Sequence, residues 1–349
     1  MIKIGIIGTG GVAHGHVQRY LRMKGVSVVA CCDISEEKRE AFARRWNIPA
    51  QYEDFREMLR SEKLDGVSNC TPDSSHAKVA IEALRHNVAV LSEKPMAASL
   101  AEAERMWEVA KASKVPHMIN FSYRRSGALH GAARAIRAGH IGRIRHVEGS
   151  YLQSWLVADY WGDWKSPAFI WRLSTRHGSS GVLGDLGCHL YDFVTYLCGN
   201  IVEIACALRT FPKGVPGNRI GEFVLDANDS FSATVTFENG ALGVLHSSRW
   251  ASGHHNSIRV RIYGDQGGIE IDLDHSPEIY RIVRGERNLK KALWREVVCP
   301  PAPTIQERFI RAIRTGKAGS PDFREGLQNQ KYLHYSFLSD QRKRAVQVQ

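Results

Sequence analysis

The sequence predicts a doubly wound parallel α/β domain followed by an α+β domain with a large, open, predominantly antiparallel sheet. Three observations carry this prediction. Residues 1–121 alternate short β-branched runs with helical periodicity, the rhythm of parallel βαβ units. A glycine-rich turn, Gly8-Thr9-Gly10-Gly11-Val12-Ala13, stands between the first such run and the first helix. Beyond Phe121 the rhythm changes, and strands bounded by turn residues dominate. The expected division is 1–122 and 123–349, with the C-terminal helices free to pack back on the first domain.

Ile2 to Ile7 reads as the first strand, and Val12, Val17, Tyr20 and Leu21 as the apolar positions of the first helix. Val26 to Cys31 is the second strand, ending at Asp33. Ser35 caps a helix through Phe42 and Trp46, and Asp54 to Leu59 is a short helix. Gly66 to Cys70 is a strand closing in Thr71-Pro72, and a helix carrying Val79, Ala80, Ala83 and Leu84 follows. Val88 to Leu91 is a strand ending in Ser92-Glu93-Lys94-Pro95. Ser99 with Glu102 three residues on is a capping box, opening a helix with Leu100, Ala103, Met106, Trp107 and Ala110 inside. His117 to Phe121 completes the sheet.

The glycine turn has direct chemistry. Gly8 permits a tight turn, and Gly10 lets backbone approach a pyrophosphate whose charge the free N–H groups of a helix start favour. Asp33, 25 residues beyond Gly8, would accept hydrogen bonds from ribose hydroxyls and repel a 2′-phosphate. Ile34 follows where a phosphate-binding side chain could stand. This favours NAD, while Lys38 and Arg39 leave NADP possible. Lys94, at the carboxyl end of a buried strand and pinned by Pro95, lies where open α/β sheets bind ligands.

In the second half a helix from about Ala128 to Ala138 ends at Gly139. Strands are expected over Ile144–Gln153, Val202–Thr210, Phe231–Phe237, Leu242–Ser248, Ser257–Tyr263 and Gly268–Leu273, with Asn239-Gly240 as a type I′ hairpin turn. Thr304–Ile313 and Phe323 to about Leu338 are closing helices. So large a sheet with few helices needs cover, which a homodimer or homotetramer packing sheet against sheet would supply. A helix over Gly181–Cys198 places Asp185, His189 and Asp192 on one face of an otherwise apolar element. Asp185 near the helix start is expected to be ionised and to orient His189. Gly184 and Gly187 weaken that helix, as if something had to approach its backbone. An aromatic strip, Tyr151, Trp155, Tyr160, Trp161, Trp164, Phe169 and Trp171, has no clean period. It reads either as core or as a wall stacking on sugar rings.

Composition excludes several classes. The chain has 349 residues, 43% hydrophobic and 24% charged, as an ordinary globular protein does. No apolar run is long enough for a membrane span, and Met1 runs straight into a strand, so no signal peptide and a cytoplasmic location are expected. Seven scattered cysteines without a CxxC pair speak against a metal or disulfide framework. The net charge of +11 has no interleaved aromatic and basic module to make it a nucleic-acid surface.

Taken together, four ordered blocks resemble the glucose-fructose oxidoreductase and inositol dehydrogenase family, Gfo/Idh/MocA. They are Gly8-Thr9-Gly10-Gly11-Val12-Ala13 with Asp33, then Thr71-Pro72 with His76, then Glu93-Lys94-Pro95, then Gly184-Asp185-Leu186-Gly187-Cys188-His189. Tyr123-Arg124, Gly139-His140-Ile141-Gly142 and Trp171-Arg172 are weaker echoes. The resemblance implies a Rossmann domain, NAD(P), and hydride transfer at a secondary hydroxyl of a sugar, anhydrosugar or cyclitol. It implies Lys94, Asp185 and His189 as the catalytic set. It implies cofactor contacts from Gly8, Thr9, Gly10, Gly11, Val12, Asp33, Ile34, Thr71, Pro72, His76, Glu93 and Lys94. Tyr123, Gln153 and Arg172 join the catalytic set as expected substrate contacts. Alternatives are an NADPH-dependent ketosugar reductase and a non-catalytic dinucleotide-sensing regulator on the same fold.

Overall fold

The computed structural model describes residues 1–349. The chain divides into two compact units, Met1–Ser122 with Pro303–Gln330, and Tyr123–Ala302 with Lys331–Gln349.

In the first unit, β1 (Ile2–Ile7), α1 (Gly11–Leu21), β2 (Val26–Cys32), α2 (Glu36–Trp46), β3 (Ala50–Tyr52) and α3 (Phe55–Ser61) form one half. The other half is β4 (Gly66–Asn69), α4 (Asp73–Arg85), β5 (Ala89–Ser92), α5 (Leu100–Ala112) and β6 (His117–Ile119). The strands pair in the order β3-β2-β1-β4-β5-β6, all parallel. The order reverses beside β1, so the carboxyl ends of β1 and β4 flank a topological switch point. β4 and β5 are buried at every position, because helices cover both faces of the sheet. β3 is a strand the sequence reading did not separate from its neighbours. Three residues are too few to show a period.

The second unit holds a nine-stranded mixed sheet and a small hairpin. In chain order its elements are α6 (Gly127–Arg137), β7 (Ile144–Leu152), α7 (Cys188–Cys198) and β8 (Ile201–Arg209). The hairpin strands β9 (Arg219–Ile220) and β10 (Phe223–Val224) follow, then β11 (Ser230–Phe237), β12 (Leu242–Ser248), β13 (Ser257–Gly264) and β14 (Gly267–Asp272). β15 (Ile279–Arg284), α8 (Glu286–Lys290) and β16 (Arg295–Val298) close the run. α9 (Ile305–Thr315) and α10 (Phe323–Arg342) come next, and β17 (Val346–Gln347) ends the chain. The sheet order is β16-β15-β14-β13-β7-β12-β11-β8-β17, antiparallel except for β7 beside β12.

One face of this sheet is the core. Val147, Ala233, Val235, Leu245, Val260 and Ile262 meet Leu186, Leu190, Phe193 and Val194 of the Gly181–Cys198 helix. The alternation of β11, buried at every second residue, follows from one covered face. The other face is charged. Arg261 pairs with Glu148 and Glu270, Arg281 with Glu270, and Arg259 with Asp272 and Asp274.

One sequence expectation changes at the hairpin turn. The β11–β12 hairpin is not type I′, which needs positive φ at both central residues. Gly240 has φ 82° and Asn239 does not share it, and the Gly240 N–H donates to the Phe237 carbonyl at 2.9 Å. This is a type I turn followed by a glycine bulge. Residues 303–330 belong to the first unit, because α9 sinks Ile305, Phe309 and Ile310 among Ile4, Ile6, Val17 and Leu91. Along α10, Phe323 packs in the first unit's core, whereas Tyr332 and Leu333 pack in the second's. No helix is long and apolar enough to cross a membrane.

Candidate active site

In the first unit the glycine turn is built as its residue types require. Gly8 has φ 86°, and a Cβ there would lie 2.6 Å from the Cys70 carbonyl oxygen. Gly10 precedes α1 with φ −69° and no side-chain cap. A Cβ added to Gly10 or Gly11 would meet nothing within 4 Å. Close packing therefore explains Gly8 but not Gly10. What Gly10 and Gly11 leave clear is the space at the uncapped start of α1, the place for a pyrophosphate. The residues thus fit a dinucleotide. Asp33 Oδ2 accepts from Thr9 N at 2.8 Å and from Thr9 Oγ1 at 2.9 Å, and its Oδ1 accepts from Ser35 N at 3.0 Å. The aspartate thereby ties the glycine turn to the end of β2. Ile34 beside it is exposed. Arg39 Nη1 donates to the Asp33 carbonyl at 2.8 Å.

At the ends of β4 and β5 a buried polar network appears. Thr71 Oγ1 donates to Asn69 Oδ1, and Asn69 Nδ2 donates to Ser92 Oγ and to the His76 carbonyl. The His76 ring is fully buried, with Nδ1 2.8 Å from the Pro95 carbonyl and Nε2 2.9 Å from that of Thr71. A ring with no exposed surface touches no cofactor. The direct contact expected of His76 is replaced by a tie between two loops that flank Pro72 and Lys94. Pro72 stands immediately before α4, Val12 is exposed at the start of α1, and Lys94 is half-buried. The Lys94–Pro95 peptide is cis.

Glu93 is sealed in. His16 Nε2 lies 2.8 Å from Glu93 Oε1, Asn120 Nδ2 donates to the same oxygen, and His16 Nδ1 lies 2.9 Å from Ser68 Oγ, itself 2.7 Å from the Tyr20 hydroxyl. Burial opposes ionisation of Glu93, but the His16 ring, the Asn120 amide and the Lys94 charge outweigh it and hold the carboxyl down at about 2. Sequence reading missed His16, Ser68, Tyr20 and Asn120. A signal was present: His16 falls at i+3 from Ala13, inside the apolar stripe that α1 buries with Val17 and Tyr20.

In the second unit, the Gly181–Cys198 helix contains a π-helical segment, Leu183–Gly187, which runs into α7. Its start is fixed by Asn228, whose Oδ1 accepts from Leu183 N and whose Nδ2 donates to the Ser180 carbonyl. The helix glycines answer to the protein's own packing. A Cβ on Gly184 would lie 2.2 Å from Ser180 Cβ, and one on Gly187 3.1 Å from the Phe231 ring. What approaches the helix backbone is therefore Ser180 and Phe231 rather than a ligand.

Asp185, His189 and Asp192 each meet a different neighbour. Asp192 is taken by Arg124, whose Nη2 reaches Oδ1 at 2.6 Å and whose Nε reaches Oδ2 at 2.9 Å, with Arg124 also stacked on Tyr196. Asp185 Oδ2 accepts from Arg249 Nη2 at 3.0 Å while its side chain stays 31% exposed. His189 is buried edge-on against Tyr123, ring centroids 4.9 Å apart, and near Tyr151 at 6.2 Å.

Those tyrosines belong to a closed hydrogen-bond ring. Asn256 Nδ2 donates to Tyr123 Oη at 2.7 Å, and Tyr151 Oη donates to Asn256 Oδ1 at 2.7 Å. Tyr123 and Tyr151 share the remaining 2.7 Å bond, so the Tyr123 proton must face Tyr151. Gln153 Nε2 also donates to Asn256 Oδ1 at 2.7 Å. Burial pushes the Tyr151 hydroxyl well above its ordinary range, ahead of the negative fields of Tyr123 and Asp185. Tyr123 thus lies against His189, and Gln153 joins the ring that Tyr123 and Tyr151 form with Asn256. Arg172 turns elsewhere, donating to the Ala168 carbonyl at 2.9 Å and stacking on Trp171. Asn256 and Arg249 were missed, because neither lies in a patterned stretch.

The aromatic strip divides. Trp155, Trp164 and Phe169 pack with Ile170, Leu173 and Leu225 as a satellite core. Tyr160 and Trp161 are exposed and flank His255. No group of three or more His, Cys, Asp or Glu residues is placed to hold a metal ion.

Comparison with known proteins agrees with this architecture. Residues 2–121 match a family described as "Oxidoreductase family, NAD-binding Rossmann fold", and residues 130–270 match the "GFO/IDH/MocA C-terminal domain". A levoglucosan dehydrogenase of Pseudarthrobacter phenanthrenivorans is 27% identical over 94% of this chain and 93% of its own. A D-apiose dehydrogenase of Paraburkholderia graminis is 25% identical over 99% and 89%. A solved levoglucosan dehydrogenase in complex with NADH and levoglucosan superposes with a TM-score of 0.87 at 25% identity, covering 99% of each chain. The parallel sheet behind an open glycine turn, the mixed sheet carrying an Asp-x-x-x-His helix, and these matches in both halves lead to one conclusion: the chain belongs to the Gfo/Idh/MocA family of oxidoreductases, and its first unit is that family's NAD-binding Rossmann domain.

Proposed function

We propose that this oxidoreductase oxidises a secondary hydroxyl of a sugar, anhydrosugar or cyclitol, using NAD⁺, with Lys94, Asp185 and His189 as its catalytic set. The observation that carries the reading is the setting of His189. A buried imidazole lies against two tyrosines whose hydroxyls, with Gln153 and Asn256, form a polar ring. Such a wall combines aromatic surface with directional acceptors and donors, as recognition of a polyhydroxylated ring demands. The levoglucosan- and apiose-oxidising relatives point to the same substrate class.

NAD⁺ would supply the hydride acceptor when bound, and the start of α1 would hold its pyrophosphate and Asp33 its ribose. His189 takes the hydroxyl proton, a role worth about 10²- to 10⁴-fold when the base is well placed. Asp185 stays anionic beside Arg249 and stabilises the imidazolium that forms. The Lys94 ammonium stabilises the charge that grows on the substrate oxygen. His76 and Glu93 hold the backbone that carries Lys94.

The test is a panel of inositols, aldoses, anhydrosugars and glycosides with NAD⁺, followed by NADH absorbance. Turnover with at least one cyclic polyol is expected. If the wild type binds NADH but oxidises none of them, the substrate class is wrong. A second reading, a ketosugar reductase working with NADPH, is favoured by Arg39, whose guanidinium stands at the Asp33 carbonyl. Comparing NADH and NADPH dissociation constants separates the two, since the first reading requires NADH to bind more tightly.

A further inference from the structure

Arg249 is the largest fully buried side chain of the protein, with no exposed surface. It follows β12 directly, and its backbone N–H is fixed on the Asp229 carbonyl at 3.0 Å. Its guanidinium reaches three things at once. Nη2 donates to Asp185 Oδ2 at 3.0 Å, Nη1 donates to the Arg172 carbonyl at 3.0 Å, and the carbon of the guanidinium lies 4.8 Å from the Trp155 ring centroid. Its Nε is buried with no hydrogen-bond partner. A cation that is out of water and incompletely satisfied costs several kcal/mol, and an apolar side chain of similar volume packs as well or better. Packing alone therefore does not account for it.

We propose that Arg249 is a positioning residue of the reaction centre, fixing the charge and orientation of Asp185 while it pins the Arg172 turn through the same guanidinium. This rests on the catalytic role of Asp185 proposed above. Asp185 is the only carboxylate in direct contact with the buried cation, so protonating it would strand Arg249 in the core. Asp185 therefore stays an anion through the cycle, an acceptor and a field for His189 and not a proton donor. Charged and titratable groups face the pair from several elements. Asp229 and Arg172 act on Arg249, while Tyr151 feels Asp185, and His189 and Cys188 follow it on the helix. Tyr151 carries no charge in the working range, because burial holds its proton on. Desolvation pulls Arg249 below its ordinary value, and the Asp185 carboxylate is the largest influence pulling it back. Lysine could supply the charge and several donors on one nitrogen, but not two donor nitrogens held apart in one plane, so the fork geometry is what the site uses.

The experiment compares Arg249→Met, Arg249→Lys, Asp185→Asn and the Asp185→Asn/Arg249→Met double variant in the full chain. Readouts are kcat and KM on the best substrate of the panel, the pH profile of kcat/KM, NADH binding and thermal melting. Arg249→Met is expected to lower kcat on the order of 10²-fold, as misplacement of a reacting group does. The acid limb of its profile should move to higher pH, with NADH affinity unchanged. The double variant should be no slower than Asp185→Asn alone, since both remove one unit. Arg249→Lys should recover part of kcat and most of the pH profile. Full kcat with an unshifted acid limb in Arg249→Met overturns the proposal, as do additive losses in the double variant. If Arg249→Met does not fold, the same two readouts in Arg249→Lys decide, because a lysine that leaves kcat and the profile at wild-type values overturns the need for the fork. If the wild type oxidises nothing, the functional reading has failed. Carboxyl ¹³C titration of Asp185 in wild type and Arg249→Met then tests the positioning claim by itself, and an unchanged titration overturns it.

Discussion

Asp185 and Asp192 lie on one continuous helix, and each meets a buried arginine. Arg124 grips Asp192 with two nitrogens, and both side chains are sealed at about 5% exposure or less. Arg249 holds Asp185 through one nitrogen, and the carboxylate keeps 31% of its surface open. The pairing chemistry is the same, and what differs is whether the acid retains a face for a third group. A sealed pair can only hold the fold, whereas an open one can act on something that arrives. An aspartate's presence on a polar helix face does not reveal which it is.

The largest effects test the open end. Lys94→Ala and His189→Ala should each reduce kcat on the order of 10²- to 10⁴-fold. His189→Ala should leave NADH affinity intact, because the dinucleotide turn lies in the first unit. Steady-state turnover and NADH fluorescence titration, measured separately, check this. Wild-type turnover in both variants would remove them from the reaction.

The sealed end should respond in the opposite currency. Asp192→Asn strands Arg124 and is expected to cost about 3–5 kcal/mol of stability. Asp185→Asn should cost less stability, its carboxylate being partly solvated, but should lose far more kcat. Urea denaturation beside kinetics decides it, and the contrast collapses if the two variants fall in the same order on both scales. Replacing Arg124 and Asp192 together by Met and Leu should restore most of what Asp192→Asn loses.

The sequence reading reached the architecture and stopped short of these pairings for a physical reason. Periodicity exposed β1, β2, β4 and β5, because buried parallel strands and amphipathic helices leave repeating patterns. The glycine turn, the Glu93-Lys94-Pro95 strand end and the helix with Asp185 and His189 were visible as local strings. Arg249, Asn256 and His16 were not. Each acts across 52 or more residues of chain, on Asp185, Tyr123 and Ser68 or Glu93, and no local pattern encodes such a contact. The helix glycines misled for a related reason. Their neighbours, Ser180 and Phe231, become neighbours only after folding.

The first unit repeats the contrast between sealed and open groups, beginning with Glu93. Its carboxyl sits at about 2, below its ordinary 4.5, so folding stabilises the ionised form. That contribution is complete above about pH 4.5 and is lost as pH falls toward 2, and it amounts to on the order of 3 kcal/mol. Glu93→Gln should flatten the acid limb of stability in this window, as measured by urea midpoints against pH. An unchanged limb would assign the acid sensitivity elsewhere.

The smallest effect sets Gly8 against Gly10. At Gly8, φ is 86° and a Cβ would strike the Cys70 carbonyl, so Gly8→Ala should lower the melting temperature as well as cofactor affinity. At Gly10 the backbone suits any residue and a Cβ meets no protein atom, so Gly10→Ala should melt like the wild type. Its methyl nevertheless occupies the approach to the start of α1, and the NADH dissociation constant should rise about tenfold, or 1.4 kcal/mol. Calorimetric melting and fluorescence titration of the same two variants separate the cases. Unaltered NADH binding in Gly10→Ala would mean that the pyrophosphate lies elsewhere than the uncapped helix start, since no contact within the protein requires that position to be glycine.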